Sequence, residues 1–224
     1  MTNDDAKRLA AEAALELLPE SGTIGLGTGS TAKIFIDGVG RLVRSGRKFV
    51  GVPTSVASRD QAASLGIPLA GDEGPWSIDV TVDGADEVSE RLDLIKGGGG
   101  AHTREKIVNH SSKKNVIVVD ESKLSKNLGE KWPVPVEVLA FGHRATATFL
   151  GEFGAVVLRM KDGHPFRTDS GNYVYDVRAG AIADPRALEE ALLAVPGVVE
   201  TGLFVGRANV VLVAGSSGVR RLEP

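Results

Sequence analysis

The chain has 224 residues, enough to bury a core in one domain or in two small ones without disulfides. It contains no cysteine, which excludes disulfides, thiol nucleophiles and thiolate metal sites and fits a reducing cytosol. Its 26 basic and 29 acidic residues are mixed along the chain and give a net charge of −3, so the sequence predicts neither nucleic acid nor an anionic membrane as a partner.

The amino-terminal segment, MTNDDAKRLA, lacks the basic start and the apolar run of a signal peptide. No stretch approaches the roughly 18 apolar residues that a membrane span requires. We therefore expect a cytoplasmic protein. The 28 glycines cluster in runs, which favours loops in which the backbone approaches a ligand closely.

The amino-terminal half alternates helical and strand patterns. Apolar residues recur at helical spacing over residues 3–18 and 31–45. Short apolar runs predict strands at residues 23–26, 48–52, 78–82, 92–95 and 115–119. The alternation is typical of an α/β fold with a doubly wound, largely parallel, Rossmann-like sheet.

The pattern changes after Asp120. Residues 132–136 carry two prolines, so they predict an edge strand or an extended linker and not a helix. Further elements are predicted as a helix at residues 142–150, strands at residues 155–160 and 173–177, and a helix at residues 185–195 capped by Asp184. They indicate a second, smaller α+β domain inserted near the carboxyl terminus.

We place this second domain at residues 129–204. Residues 1–128 and 205–224 then form the Rossmann-like catalytic domain. Residues 210–214 are apolar and β-branched enough to return to its sheet as a last strand.

A glycine-rich loop, GLGTGST at residues 25–31, lies between the first predicted strand and the second predicted helix. Amide donors and the helix dipole favour an anion at such a position, and the side chains of Thr28, Ser30 and Thr31 add hydroxyl groups around Gly29. The loop therefore predicts a phosphate site. A tight turn that only packs the helix on the strand stays open as the alternative.

Two nucleotide motifs are absent from this loop. The dinucleotide fingerprint needs a glycine where Ser30 stands, and a Walker loop needs a lysine where Gly29 stands. A nicotinamide cofactor and a nucleoside triphosphate are therefore disfavoured.

Two acids follow the strand predicted at residues 78–82. In the segment DGAD, Asp83 and Asp86 enclose Gly84 and Ala85 at the carboxyl end of that strand, where open sheets place ligands. Aspartate is also common in turns that it stabilises by bonding its own backbone, so a purely local role stays open. A metal-dependent hydrolase or aldolase, with Mg²⁺ on these two acids and Glu87, is a rival interpretation.

A lysine precedes four glycines at residues 96–100. We expect Lys96, with Gly97, Gly98 and Gly99, to stabilise a developing oxyanion, because glycine amides can point at such a charge. The next helix begins near Thr103, a candidate cap, and carries Glu105 in its first turn.

Glu105 is the candidate proton carrier, although a glutamate there also complements the helix dipole. Aldose–ketose isomerisation through an enediolate needs four things: a base, donors to the oxyanion, a second acid and a remote anchor for the phosphate. The candidate residues supply all four.

At these motifs the chain resembles the ribose-5-phosphate isomerase A family. The resemblance is carried by GTGSTA at 27–32, DGADEV at 83–88, KGGGGAHTREKIV at 96–108 and DESKL at 120–124, and it continues through PVPVEV at 133–138, TDSGN at 168–172 and GLF at 202–204. It implies interconversion of D-ribose 5-phosphate and D-ribulose 5-phosphate in the non-oxidative pentose phosphate pathway. It also implies activity without a metal or other cofactor, in a homodimer or homotetramer.

By position, the resemblance implies that Glu105 is the proton-transfer base and that Asp83 and Asp86 are the acids at the sugar oxygens. Lys96 and the glycines after it would contact the enediolate. Residues 28–31 and Lys123 would bind the substrate, with Lys7 as a further candidate for the phosphate. His102 departs from the family pattern, in which we expect an apolar residue such as leucine.

A sugar-phosphate-sensing module of a regulator is a second rival, since it could share the anion loop without a proton base. Only about 22 residues precede the first predicted strand, too few for a helix-turn-helix domain. His102, His110, His143 and His164 lack zinc-type spacing, and we interpret them as surface or packing residues.

Overall fold

The computed structural model describes residues 2–224, including every side chain in that range except that of Asn3. These residues form two compact units. The first consists of Met1–Ala85, as far as that range is described, with Arg104–Lys123 and Arg207–Pro224. The second consists of Asp86–Thr103 and Leu124–Gly206. The predicted domain limits, 1–128 with 205–224 and 129–204, stay a prediction; residues 86–103 and 124–128 group with the second unit.

Among residues 2–224, six α-helices follow one another along the chain. They are α1 (Asn3–Leu15), α2 (Ser30–Arg44), α3 (Val56–Ser64), α4 (His102–His110), α5 (His143–Leu150) and α6 (Pro185–Leu193). Among the described residues, no helix is long and apolar enough to cross a membrane.

Fifteen strands complete the described part of the fold. They are β1 (Ser21–Leu26), β2 (Lys48–Pro53), β3 (Val80–Asp83), β4 (Glu87–Val88), β5 (Leu94–Ile95), β6 (Asn115–Asp120), β7 (Val134–Val138), β8 (Ala155–Leu158), β9 (Met160–Lys161), β10 (His164–Pro165), β11 (Tyr173–Arg178), β12 (Val198–Thr201), β13 (Leu203–Phe204), β14 (Val210–Gly215) and β15 (Gly218–Leu222).

The first unit contains a six-stranded sheet in the order β15-β14-β6-β3-β1-β2. All neighbouring pairs are parallel except β14 with β15. The prediction of an α/β fold with a largely parallel, doubly wound sheet is therefore confirmed, as is the return of residues 210–214 to the sheet. Strand β15 was not predicted, because its residues alternate too weakly in polarity to stand out.

The strand order reverses beside β1. The chain places β2 on one side of β1 and then returns to place β3 on the other. In open α/β sheets, ligands bind at the carboxyl ends of the strands at such a reversal. The glycine-rich loop follows β1 and the acid pair follows β3, so the sequence motifs of this unit lie at the expected point.

Helices α1 and α2 share a buried core with the sheet. Phe35 and Val39 of α2 and Ala10 of α1 are buried in one cluster with Ile24 and Val118. Each buried branched or aromatic side chain stabilises such a core by roughly 1.5 to 3 kcal/mol relative to its exposed state. The core fixes the position of α2, and with it the loop that precedes this helix.

The second unit contains a four-stranded antiparallel sheet in the order β12-β7-β11-β8 and a three-stranded sheet in the order β13-β5-β4. Val136, Tyr175 and Leu192 belong to its core. The predicted cap of α6 is confirmed, since the Asp184 carboxylate accepts a hydrogen bond of 3.0 Å from the Ala187 amide. The small α+β character expected for this part of the chain is thus present.

The interpretation of residues 132–136 as an edge strand or linker is wrong, because β7 lies between β12 and β11. Pro135 is tolerated there because the acceptor opposite its missing N–H has another donor. The Pro135 carbonyl accepts from the amide of Gly202 at 2.7 Å, just beyond the last paired residue of β12, Thr201. The missing proline N–H faces that same side, where the carbonyl of Gly202 accepts from the Lys96 amide at 2.8 Å, so no acceptor there is left unsatisfied.

A buried carboxylate ties several segments of the second unit together. Glu137 accepts hydrogen bonds from Thr103 Oγ1 (2.5 Å), Thr168 Oγ1 (2.9 Å) and Asn172 Nδ2 (2.8 Å). Thr103 lies inside α4, one residue after its start at His102, so its predicted role as the helix cap is wrong. The Thr103 hydroxyl instead donates a hydrogen bond to the Glu137 carboxylate.

We expect Glu137→Ala to lower the free energy of unfolding by about 3 kcal/mol or more, because one buried and two half-buried donors lose a charged acceptor at once. Chemical denaturation followed by circular dichroism measures the change. The matched control is Glu190→Ala at an exposed site on α6, for which we expect a change within about 0.5 kcal/mol. Equal stability of the two variants would contradict the role given to Glu137.

Candidate functional site

The loop between β1 and α2 presents the amino-terminal end of a helix. Gly29 is the N-cap of α2, with a φ of +118°, and no side chain caps the helix there. The first amides of a helix lack intrahelical acceptors. Gly29 and Ser30 are exposed, and Thr31 is half-buried. The arrangement suits a phosphate group, which can accept from these amides.

Thr28 turns its hydroxyl into the protein. Thr28 Oγ1 lies 2.7 Å from Thr54 Oγ1, 2.8 Å from Ser55 Oγ and 3.3 Å from Ser58 Oγ. Ser58 Oγ in turn donates to the carbonyl of Gly27 at 2.6 Å. This cluster fixes the loop after β1 to the start of α3, where Ser55 is the N-cap.

Asp83 joins the ends of β1 and β3. Its carboxylate is 3% exposed, and Oδ1 accepts from the amide of Thr28 at 3.0 Å and from that of Gly84 at 2.8 Å. A Cβ on Gly27 would come within 2.2 Å of Oδ1 and 2.6 Å of the Asp83 Cα, so a side chain at position 27 would separate the two strands. The predicted phosphate loop and the first predicted acid therefore form one hydrogen-bonded group.

Lys123 lies at the same edge of this sheet. It ends a short 3₁₀ helix, Glu121–Lys123, that directly follows β6, the parallel neighbour of β3. Asp120 orients the turn by accepting from the amide of Ser122 at 2.9 Å. Lys7, the weaker phosphate candidate, forms an ion pair with Asp4 at 3.3 Å on α1.

Glu105 lies in the first turn of α4, as predicted, and is 4% exposed. Three residues further along α4, Val108 packs in a small core with Val52 and Ile78. A glutamate whose role is only to complement the helix dipole has no need to leave solvent, so its burial favours a chemical role.

The second unit carries the other candidate residues. Asp86 Oδ2 accepts from the amide of Gly98 at 2.6 Å, while the amide of Asp86 donates to the carbonyl of Ile95 at 2.8 Å. A Cβ on Gly98 would lie 2.6 Å from Asp86 Oδ1, so the approach of backbone to carboxylate requires glycine. Asp86 and the glycine run thus form a second hydrogen-bonded group.

Lys96 is a buried cation, 3% exposed, at the start of that run. Its Nζ lies 5.4 Å from the centre of the Phe204 ring, within the range of a cation–π interaction. Its amide donates to the carbonyl of Gly202 at 2.8 Å, which fixes the backbone beside β13.

The four glycines are more constrained than the sequence indicated. Gly98 donates to Asp86, and Gly100 donates to the carbonyl of Gly97 at 2.9 Å. Arg159 NH1 donates to the carbonyls of Gly97 (2.6 Å) and Gly98 (3.1 Å). Two of the four amides therefore already have acceptors, one in Asp86 and one within the run.

Glu87, the third acid of the alternative in which Mg²⁺ binds Asp83, Asp86 and Glu87, stabilises a loop of the second unit. It is fully buried and accepts from the amides of Gly129 (2.9 Å), Lys131 (3.0 Å) and Trp132 (3.2 Å). Among residues 2–224, no group of three or more His, Asp or Glu side chains is arranged to hold a metal ion.

Two of the four histidines, His102 and His143, pack against other groups, whereas His110 and His164 are exposed. His102 is fully buried, and a Cβ on Gly97 would lie 2.6 Å from its Nδ1, so it packs against the start of the glycine run. His143 Nδ1 lies 2.7 Å from the hydroxyl of Tyr175, and burial lowers the pKa of His143, which favours its neutral form.

Sequence reasoning missed the supporting residues. Thr54 and Ser55 carried a signal, since a threonine and a serine between a predicted strand and a helix suggest a cap. Arg159 and Glu137 carried none, because they lie far from the motifs that they support.

Comparison with protein families matches residues 50–218 to the family model described as Ribose 5-phosphate isomerase A (phosphoriboisomerase A). Ribose-5-phosphate isomerase A of Rhodopseudomonas palustris strain BisB18 is 47% identical over 231 aligned positions, covering 100% of this chain and 99% of the relative. That of Parvibaculum lavamentivorans is 45% identical over 231 positions and is covered in full, as is this chain.

Solved structures agree over the same length. Ribose 5-phosphate isomerase A from Methanocaldococcus jannaschii superposes with a TM-score of 0.94 at 41% identity, covering 100% of both chains. A D-ribose-5-phosphate isomerase in complex with phospho-erythronic acid superposes with a TM-score of 0.96 at 40% identity, again with both chains covered in full.

Proposed function

Because this chain belongs to the ribose 5-phosphate isomerase A family, whose reaction interconverts ribose 5-phosphate and ribulose 5-phosphate, we propose that Glu105 is the base that moves the proton in that reaction. The observation that carries the proposal is the burial of Glu105 in the first turn of the helix that directly follows the Lys96 glycine run. A carboxylate removed from bulk water is suited to general base catalysis.

The phosphate of the sugar is held by the amino-terminal end of α2. Its ligands in this proposal are Gly29, Ser30 and Thr31, with Thr28 as the residue that fixes the loop, because its hydroxyl contacts Thr54 and Ser55. Lys123 supplies a positive charge at the same sheet edge. Binding of the remote phosphate helps to orient the reacting carbons.

The proton transfer takes two steps. Glu105 removes the proton from C2 of ribose 5-phosphate; the C–H electron pair forms the C1–C2 double bond, and the carbonyl electrons move to O1. Protonated Glu105 then returns a proton to C1, while O2 loses its proton and becomes the ketone oxygen and O1 gains a proton and becomes the C1 hydroxyl. The Glu105 carboxylate is thus regenerated, ribulose 5-phosphate is formed, and no oxidant or reductant is consumed.

Charge develops on O1 and O2 during these steps. Lys96 and the glycine run provide the donors that stabilise it, with contacts from the segment 83–86, which includes Gly84 and Ala85. Asp83 and Asp86 move protons between the two oxygens. The presence of phospho-erythronic acid, a phosphorylated carboxylic acid, in a relative of 40% identity supports a site that accepts a phosphate and a second anion together.

A homodimer or homotetramer, a cytoplasmic location, and activity without metal or cofactor stay predictions from the sequence.

Purified protein mixed with ribose 5-phosphate should produce the ketose, followed by its absorbance. In D₂O the ketose should carry deuterium at C1, because a carboxylate base exchanges its proton with solvent. Mass spectrometry detects the label. Absence of ketose would refute the isomerase assignment, whereas ketose formed with the original hydrogen retained would argue for direct hydride transfer and against a carboxylate carrier.

Glu105→Gln should lower kcat more than about 100-fold and leave KM nearly unchanged, since general acid–base steps contribute roughly 10² to 10⁴ to the rate. Steady-state kinetics measure both constants. Glu73→Gln, at an exposed glutamate of the same unit, is the matched control and should behave as the wild type. Near-normal turnover of the Glu105 variant would rule out its role as the base.

Lys96→Ala should reduce kcat by roughly 10² to 10³ and affect KM much less, because it removes a donor to charge that develops only in the transition state. Lys126→Ala, at an exposed lysine of the second unit, provides the comparison. If KM alone increased, Lys96 would instead be a phosphate ligand.

A further inference from the structure

We propose that Arg159 is a positioning residue of the isomerase reaction, which turns two successive peptide groups of the glycine run so that their N–H groups face Asp86 and the sugar oxygens. The inference rests on the proposed function of Lys96 and the glycines that follow it. It adds a residue 61 positions away from Gly98, in a different part of the second unit.

The contacts are directed at backbone carbonyls. Arg159 NH1 donates to the carbonyl of Gly97 at 2.6 Å and to that of Gly98 at 3.1 Å. In a planar trans peptide the C=O and the following N–H point in opposite directions. Holding the carbonyl of Gly97 therefore directs the N–H of Gly98 away from Arg159, and holding the carbonyl of Gly98 does the same for Gly99.

The hydrogen bond of the Gly98 amide shows the direction in which these two N–H groups point. The N–H of Gly98 donates to Asp86 Oδ2 at 2.6 Å, which is the direction that the planar peptide requires. The N–H of Gly99 is turned to the same side by the second carbonyl contact. The guanidinium thus orients one amide that fixes Asp86 and one that can donate to an enediolate oxygen.

Arg159 is itself held rigidly. Its Nε donates to Asp176 Oδ2 at 3.0 Å and its NH2 donates to Asp176 Oδ1 at 2.5 Å, with side-chain exposures of 15% and 22%. Asp176 lies on β11, an interior strand, and the amide of Arg159 donates to the carbonyl of Val174 on that strand at 2.9 Å. The fork of one guanidinium makes all four side-chain contacts at once, which a lysine ammonium cannot do.

A salt bridge that only stabilised the unit would make a different prediction. Its loss would lower stability and leave the kinetic constants of the folded enzyme unchanged. A positioning role instead affects the transition state, because misdirected amides stabilise the enediolate less while the phosphate still anchors the substrate.

We therefore expect Arg159→Ala to lower kcat by about 10- to 100-fold, somewhat less than direct loss of an oxyanion donor, with KM changed less than about threefold. Added guanidinium ion at millimolar concentration should restore part of kcat, because it can occupy the vacated space between Asp176 and the two carbonyls. Arg159→Lys should fold and keep the charge beside Asp176, yet show about a 10-fold lower kcat.

Arg167→Ala is the matched control. Arg167 also donates to a backbone carbonyl, that of Gly171 at 2.8 Å, and it stacks on Tyr173 at 3.6 Å, but it makes no contact with the glycine run. Its kcat and KM should equal those of the wild type, and guanidinium should not affect it.

Wild-type kcat in Arg159→Lys would overturn the inference, even if Arg159→Ala failed to fold. It would also be overturned by a folded Arg159→Ala variant with unchanged kcat, with a defect confined to KM, or without a response to guanidinium. A wild-type protein that forms no ketose would instead refute the proposed function itself. The two failures are therefore distinguishable.

Discussion

The hydrogen bond from the Thr28 amide to the buried carboxylate of Asp83 is the contact on which the first unit's candidate site depends. It joins the loop after β1 to the end of β3, at the point where the strand order reverses. Gly27 permits it, since any side chain there would collide with Asp83. The predicted phosphate loop and an acid 55 residues further along the sequence are thereby joined directly by a hydrogen bond.

The second unit is held together by carboxylates in a similar way, two of them buried and one, Asp176, half-buried. Glu87 accepts from three amides of one loop, Glu137 accepts from three side chains of two segments, and Asp176 accepts from the guanidinium of Arg159. Each carboxylate satisfies donors that would otherwise be costly to bury. These polar networks add to the hydrophobic core of the unit, to which Val136, Tyr175 and Leu192 belong.

The sequence predicted the parallel sheet and the position of most candidate site residues, because glycine loops, acids after strands and a glutamate in a first helical turn are local patterns. The sequence-based predictions were wrong where the structure depends on residues that are distant in the sequence. Pro135 suggested an edge strand, since nothing nearby shows that the carbonyl of Gly202 opposite it accepts from the distant Lys96. Thr103 resembled a cap, since its partner Glu137 is 34 residues away. The alignment of Arg159 with two glycine carbonyls likewise depends on pairing between strands that no spacing reveals.

The start of α2 has a wider consequence. Gly29 leaves this helix without a capping side chain, so a bound phosphate would itself take the place of the cap. A ligand that binds the folded state and not the unfolded chain stabilises it in proportion to the logarithm of its concentration. The resistance of the enzyme to heat and to proteolysis should therefore rise and fall with the cellular supply of its own sugar phosphates, which links the lifetime of the protein to metabolic flux.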